Sequence, residues 1–314
     1  MYTQAHIKEL QNGVVPVMLT PFNRDLSVDY DSLALLIEWY IDSGAVGLFA
    51  ACQSSEIMHL SDQEMQDMVR FIVEKVDHRV PVIASGHTAD KFDDQIVQLN
   101  NMVEASVDGV VLITNRLGPQ SATDSEVIHF MEKIAEALPE DIPLGLYECP
   151  APWKRLLSHE VLQWCVNSKR FTFLKDTCCS LDVLSERLEI AKNSSFKIYN
   201  ANGPTLLGSL RMGAAGYSGV MANYHCDLYT WLCSHYDEHS DLVTEVADFL
   251  SVSSLSELIS YPVSAKYAQK QIGNFNTTVS RTRNEEEFYS NANITLIDQL
   301  QRLSNRYSQK IINK

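Results

Sequence analysis

Eight short apolar runs punctuate the chain, at residues 14–20, 46–50, 80–85, 108–114, 142–148, 171–176, 196–201 and 216–221. Each run is close to continuously apolar rather than alternating, the pattern of parallel strands covered on both faces. Stretches with helical spacing separate them. Ser61-Asp62-Gln63-Glu64 reads as a capping box, and Met65, Met68, Val69, Ile72, Val73 and Val76 behind it fall on one stripe. Phe92, Ile96, Leu99 and Val103 repeat that spacing in the next helix. Ser43-Gly44 marks a helix stop, with the glycine supplying a left-handed exit.

A strand signal followed by a helix signal, eight times over, predicts a closed (β/α)₈ TIM barrel. An open doubly wound sheet usually carries a glycine-rich phosphate turn after its first strand. Here that turn is Thr20-Pro21-Phe22-Asn23, with no GxGxxG. Strand signals cease from about His225. Leu242, Val246, Phe249 and Leu250 read as helix, as do Leu296, Leu300, Leu303 and Tyr307. The expected organisation is a barrel over residues 1–224 and a C-terminal helical extension over residues 225–314, packed on the barrel.

The 314 residues, 45% hydrophobic and 21% charged, can bury a core that needs no disulfide or metal staple. A net charge of −15 without any Lys/Arg-rich run disfavours nucleic acid as a partner. Seven cysteines, two of them adjacent at Cys178-Cys179, read as thiols of a reducing compartment. The first residues hold no apolar signal core, and no run approaches the ~18 apolar residues of a membrane span. The expected location is the cytoplasm, with no membrane partner.

The active site of such a barrel forms at the C-terminal ends of the strands. The polar residues ending the apolar runs are therefore the candidates: Thr20, the loop from Cys52 to Glu56, His87, Tyr147-Glu148, Lys175-Asp176, and Asn200 with Asn202. Lys175 directly follows Phe171-Thr172-Phe173-Leu174, so it belongs to a strand rather than to solvent. Burial disfavours an ammonium and frees the amine, which can then attack a ketone and form an imine. The competing reading is an ion pair with a neighbour such as Asp176. Tyr147, ending the preceding strand, is either a proton relay or a packing residue. Amides and hydroxyls of Gln53, Ser54 and Ser55 could cradle a carboxylate, with Glu56 as a structural acceptor of loop amides. His87 is a lone histidine that could reach a substrate. HExxH, paired CxxC, EF-hand, GxSxG and Walker patterns are all absent from the sequence, so no metal site is expected.

Taken in order, these pieces resemble the dihydrodipicolinate synthase / N-acetylneuraminate lyase family of class I, pyruvate-dependent aldolases, from about Gly13 to Gly273. The resemblance is carried by Gly13-Val14-Val15-Pro16-Val17-Met18-Leu19-Thr20-Pro21-Phe22, Gly47-Leu48-Phe49 leading to Ser54-Ser55-Glu56, and Tyr147-Glu148-Cys149-Pro150. Phe173-Leu174-Lys175-Asp176, Gly213-Ala214-Ala215-Gly216, Ala222-Asn223 and Tyr261-Pro262 with Lys266 and Gly273 complete it. It implies that Lys175 forms the imine with a 2-keto acid, usually pyruvate, and that Tyr147 shuttles protons. It implies a carboxylate cradle at Ser54 and Ser55, and a site framed by the backbone at Ser218. Gln53 and Glu148 join the expected substrate-binding set. The covalent imine on Lys175 takes the place of a cofactor, and a homotetramer is expected.

The chain departs from the family pattern at several positions. Its loop is normally Gly-(Ser/Thr)-Thr-Gly-Glu; Cys52 and Ser55 replace the glycines, and Gln53 replaces a hydroxyl that belongs to a proton relay in the synthases. Glu148 replaces an asparagine. Pro152 stands where the synthases carry an arginine for the second substrate's carboxylate, with Lys154 and Arg155 just beyond. Asn115-Arg116-Leu117-Gly118-Pro119 replaces a tyrosine-rich stretch. These losses favour a lyase that reversibly cleaves a 2-keto acid, such as a 2-keto-3-deoxy sugar acid, to pyruvate and an aldehyde. Two alternatives stay open: a condensing synthase or keto-acid dehydratase using the same lysine, and a catalytically silent keto-acid-binding barrel.

Overall fold

The structure, a computed structural model, describes residues 7–313. Eight strands alternate with helices: β1 (Gly13–Val14), α1 (Tyr30–Asp42), β2 (Leu48–Ala50), α2 (Asp62–Val76), β3 (Val82–Ala84), α3 (Phe92–Glu104), β4 (Gly109–Ile113) and α4 (Asp124–Ala137). Then follow β5 (Leu144–Tyr147), α5 (His159–Ser168), β6 (Phe171–Asp176), α6 (Leu181–Ala191), β7 (Lys197–Asn200), α7 (Gly203–Arg211), β8 (Gly216–Tyr217) and α8 (Ala222–His235). All paired strands are parallel, in the order β1-β8-β7-β6-β5-β4-β3-β2. Closure between the first and second strands comes from Met18 N donating to Phe49 O (3.0 Å) and Phe49 N donating to Pro16 O (2.9 Å). The run at residues 14–20 thus does the work of a barrel strand, although its regular ladder is short, because Pro16 has no N–H to give.

The strand pattern follows from burial. Every residue of β4 is buried, as are all of β2, β3 and β5, because helices cover one face and the barrel interior the other. The capping box at the start of α2 forms in both directions: Glu64 N donates to Ser61 Oγ (3.2 Å) and Ser61 N to Glu64 Oε2 (2.9 Å). Gly44, just past α1, has φ of +85°, the left-handed exit its position demands.

Helix α8 runs across residue 224 and packs against β1, so it is the eighth helix of the ring. The extension therefore begins after it, later than the strand signals suggest, and consists of α9 (Asp241–Ser253), α10 (Val263–Gln271) and α11 (Asn291–Ile312). In α11 the buried side is Ile297, Leu300 and Ser304, while Leu296 and Leu303 are exposed. A 3₁₀ turn, Ser254–Leu258, links α9 toward α10 over the C-terminal end of the barrel. No helix among the described residues is long and apolar enough to cross a membrane.

Candidate active site

A cavity of about 480 Å³ opens at the C-terminal ends of the strands. Lys175 and Tyr147 line it together because the β5–β6 register sets them directly opposite one another, on the same face. Lys175 Nζ lies 4.0 Å from the centre of the Tyr147 ring and 5.8 Å from that of Phe49. Only 5% of Lys175 is exposed. Burial pulls its amine down to about 8, against the weaker opposing pull of Cys52, Cys149 and Glu257.

The competing ion pair with Asp176 does not form, since successive strand residues point to opposite faces. Asp176 instead pairs with Arg187 of α6 on the outside of the barrel. Glu148 joins that network: Arg187 Nη2 lies 2.7 Å from its Oε1, and it accepts from Leu157 N (2.8 Å) and Thr177 N (3.0 Å). The structure thus places Glu148 outside the cavity, with both carboxylate oxygens engaged in locking the loops after β5 and β6.

The loop after β2 folds as a 3₁₀ turn, Gln53–Ser55. Gln53 and Ser54 line the cavity, and among the described residues their amides have no acceptor. Ser54 Oγ accepts from the Tyr261 hydroxyl (2.8 Å), so its own hydrogen is available to a ligand. Tyr261 is held in turn by Asn223 Nδ2 (2.9 Å), whose Oδ1 accepts from Tyr40. Ser55 does not reach the cavity: its hydroxyl donates to Met18 O (2.7 Å) and accepts from Cys52 N (3.2 Å), tying the loop to the first strand. Ser218 also lies behind the cavity wall, between the lining residues Tyr217 and Gly219, and its buried hydroxyl has no partner among the described residues.

Glu56 is structural, though the amides it accepts belong to a segment more than two hundred residues away. It takes hydrogen bonds from Arg281 N (2.7 Å), Thr282 N (2.9 Å), Thr282 Oγ1 (2.6 Å) and Ser280 Oγ (2.8 Å), and pairs with buried Lys266. Burial pushes its carboxyl upward, but Lys266 and these hydroxyls outweigh that and hold it below the usual range. The pairing brings Thr282 and Arg283 to the cavity wall. His87 is a packed core residue: Nδ1 accepts from Ile113 N (3.0 Å), Nε2 faces Gln95 Oε1 (2.9 Å), and burial lowers its pKa to about 4.

Several lining residues escape a reading of the sequence alone. Glu257 comes from the 3₁₀ turn of the extension, Arg283 from the segment pinned by Glu56, and Tyr217 from β8. No local pattern marks the first two. Tyr261 belongs to the Tyr261-Pro262 pair that carried the resemblance, but nothing near it in sequence gives it a role. Lys154 also lines the cavity, with Nζ on Thr177 O at 2.9 Å.

The dihydrodipicolinate synthetase family model matches residues 10–282. The chain belongs to that family. Dihydrodipicolinate synthetase relatives are class I pyruvate-dependent aldolases and lyases, and this chain is an enzyme of the class. It is 27% identical to 4-hydroxy-tetrahydrodipicolinate synthase of Ralstonia nicotianae, over 68% of this chain and 70% of that one. Identity to 4-hydroxy-tetrahydrodipicolinate synthase 1 of Clostridium acetobutylicum is 25%, over 84% and 88% of the two chains. An uncharacterized DapA-like lyase of Halobacterium salinarum is 28% identical over 72% of each. Among solved structures, a monomeric dihydrodipicolinate synthase variant superposes with a TM-score of 0.84 at 17% identity, covering 94% of this chain and 97% of that one. YagE of E. coli K12, a prophage protein of the family in complex with pyruvate, gives 0.82 at 22% identity, covering 95% and 99%. These two likenesses show the same barrel with the same extension as in the dihydrodipicolinate synthetase fold.

Proposed function

We propose that this enzyme reversibly cleaves a 2-keto acid of the 2-keto-3-deoxy sugar-acid class to pyruvate and an aldehyde, through an imine on Lys175. The observation that carries the proposal is the state of Lys175. It is buried at the cavity end with aromatic neighbours and, among the described residues, no carboxylate partner, so its amine is neutral enough to attack. Lys266 is the contrast: equally buried, but committed to Glu56.

In this reading the free amides of Gln53 and Ser54 and the Ser54 hydroxyl receive the keto acid's carboxylate. Lys175 adds to C2, and Tyr147, above the amine, exchanges a proton with the carbinolamine oxygen as water leaves. As the C4 hydroxyl gives its proton to a base on the cavity wall, the protonated imine draws the C3–C4 electron pair into an enamine and the aldehyde leaves. Protonation at C3 and hydrolysis return pyruvate and the amine. No dissociable cofactor enters these steps. Ser55, Ser218 and Glu148 act in this scheme by holding the loops that shape the cavity.

The names of the relatives support a second reading, a condensing synthase on the same lysine. Pro152 at the position of the synthases' carboxylate-binding arginine disfavours it, and product analysis separates the two. We further propose a homotetramer in the cytoplasm, which sedimentation and fractionation would test; the monomeric variant among the structural neighbours shows that the fold does not impose assembly.

Borohydride trapping tests the core of the proposal, with pyruvate as the probe because a structural neighbour binds it. A mass adduct that disappears in Lys175→Ala is the expected result. No adduct with pyruvate or larger 2-keto acids would refute it and leave the silent binding barrel.

A further inference from the structure

In the condensation direction the pyruvate imine must lose a proton from C3 to become the enamine, and few groups on the cavity wall can take it. Tyr147 donates its hydroxyl hydrogen to Gln53 Oε1 (3.2 Å), an amide oxygen with no proton of its own to pass on. Burial pushes that phenol well above 10, so it offers almost no phenolate at neutral pH. Tyr261 is half-buried and donates to Ser54; Tyr217 is stacked on Tyr229 with ring centres 3.9 Å apart; loss of solvent raises both phenols. Lys154 and Arg283 are cations, and burial raises the Cys179 thiol. Among the described lining residues, one carboxylate remains: Glu257.

Glu257 lines the same cavity as Lys175. Its 3₁₀ turn is fixed by Ser254 Oγ and Ser256 Oγ, which donate to Ser251 O and Ser253 O at 2.7 Å each. The turn seats against α7, where a Cβ on Gly203 would come within 3.3 Å of Leu250 O and 3.5 Å of Ser254 Cβ. The Glu257 side chain forms no ion pair among the described residues; partial burial raises its carboxyl above the usual range, against the opposing pull of Lys175.

We propose that Glu257 is a catalytic residue, the base that takes the C3 proton of the Lys175 imine, directly or through one water. This rests on the imine assignment above. The C3–H bond breaks, its electron pair forms C2=C3, the C=N pair moves to nitrogen, and the proton ends on the carboxylate. In the cleavage direction the carboxylate takes the C4 hydroxyl proton as the C3–C4 bond breaks, and after aldehyde release it delivers that proton to C3 of the enamine. The C-terminal extension thereby supplies part of the chemistry and is more than a flank for the barrel.

The test uses the full-length protein and pyruvate alone. Deuterium incorporation into the pyruvate methyl group in D₂O is followed by proton NMR, with borohydride trapping run on the same preparations. For Glu257→Gln, exchange is expected to fall by about 100-fold or more while trapping persists, the usual scale for loss of a general base. Glu257→Asp should recover part of the exchange. Exchange in Glu257→Gln within about threefold of the parent would overturn the proposal, as would a parent protein that traps pyruvate without exchanging it. Loss of both exchange and trapping in Glu257→Gln would move Glu257 to imine formation or to folding, and would equally overturn the C3 assignment. A parent that neither traps nor exchanges would refute the Lys175 reading itself, and this proposal with it.

Discussion

Changing pH probes the amine of Lys175 directly. With its pKa at about 8 instead of the ordinary 10.5, roughly one amine in ten is free at pH 7, against roughly one in three thousand for an exposed lysine. The ratio, about 300-fold, is the gain in nucleophile that burial provides. It fixes a curve as well as a size. From about pH 6 to about pH 9 the free fraction rises roughly 90-fold and then levels, whereas an unperturbed lysine would gain roughly 1,000-fold and keep climbing. The assay is the rate of pyruvate adduct formation under limiting pyruvate, sampled by borohydride quench and intact mass. A plateau above about pH 9 is expected. A rate still rising tenfold per pH unit beyond that point would show that Lys175 is not held neutral by its surroundings, and the physical basis of the imine assignment would fail.

The same burial carries a stability cost. The folded pKa of Lys175 lies below its unfolded value, so the unfolded chain binds more protons between about 8 and 10.5, and stability from this group rises with pH across that window. Below it the cost is complete, roughly 3 kcal/mol at about 1.4 kcal/mol per pKa unit, and Lys175→Met should be more stable than the parent by up to that amount in urea unfolding at pH 7. An equal or lower stability would contradict this. Glu56→Ala should lose about 3–5 kcal/mol, because it strands buried Lys266 and the amides of Arg281 and Thr282. Hydrogen exchange should quicken at residues 280–283 in that variant. Because the folded pKa of Glu56 is depressed, its contribution is present above the ordinary 4.5 and fades as pH falls below it. Gly145→Ala would put a methyl group 2.0 Å from the Phe173 ring, where β5 and β6 slip register. We expect a loss of about 1–3 kcal/mol by denaturant titration, largely recovered by adding Phe173→Leu. A neutral Gly145→Ala would show that the ring can move aside.

What the sequence determined was the set of properties with a short period. Apolar runs buried on two faces, helical stripes and capping residues act within a turn or a few strand residues, so the eight βα units and the Ser61 cap could be read from local order. The place of Lys175 at the end of an apolar run was legible for the same reason, and so was Tyr147. Only the tertiary structure decided which way the neighbouring polar groups turn. Asp176 and Glu148 face Arg187 because strand alternation and the β5–β6 register carry them to the outer side. Ser55 spends its hydroxyl on Met18 O because the barrel closes there. Glu56 meets residues 280–282, and Glu257 looks across at Lys175, only after α9 to α11 fold back over the strand ends. The Glu56 contacts join residues separated by most of the chain. They are fixed by packing and by the need to satisfy buried charge, and neither leaves a pattern in the residues on either side.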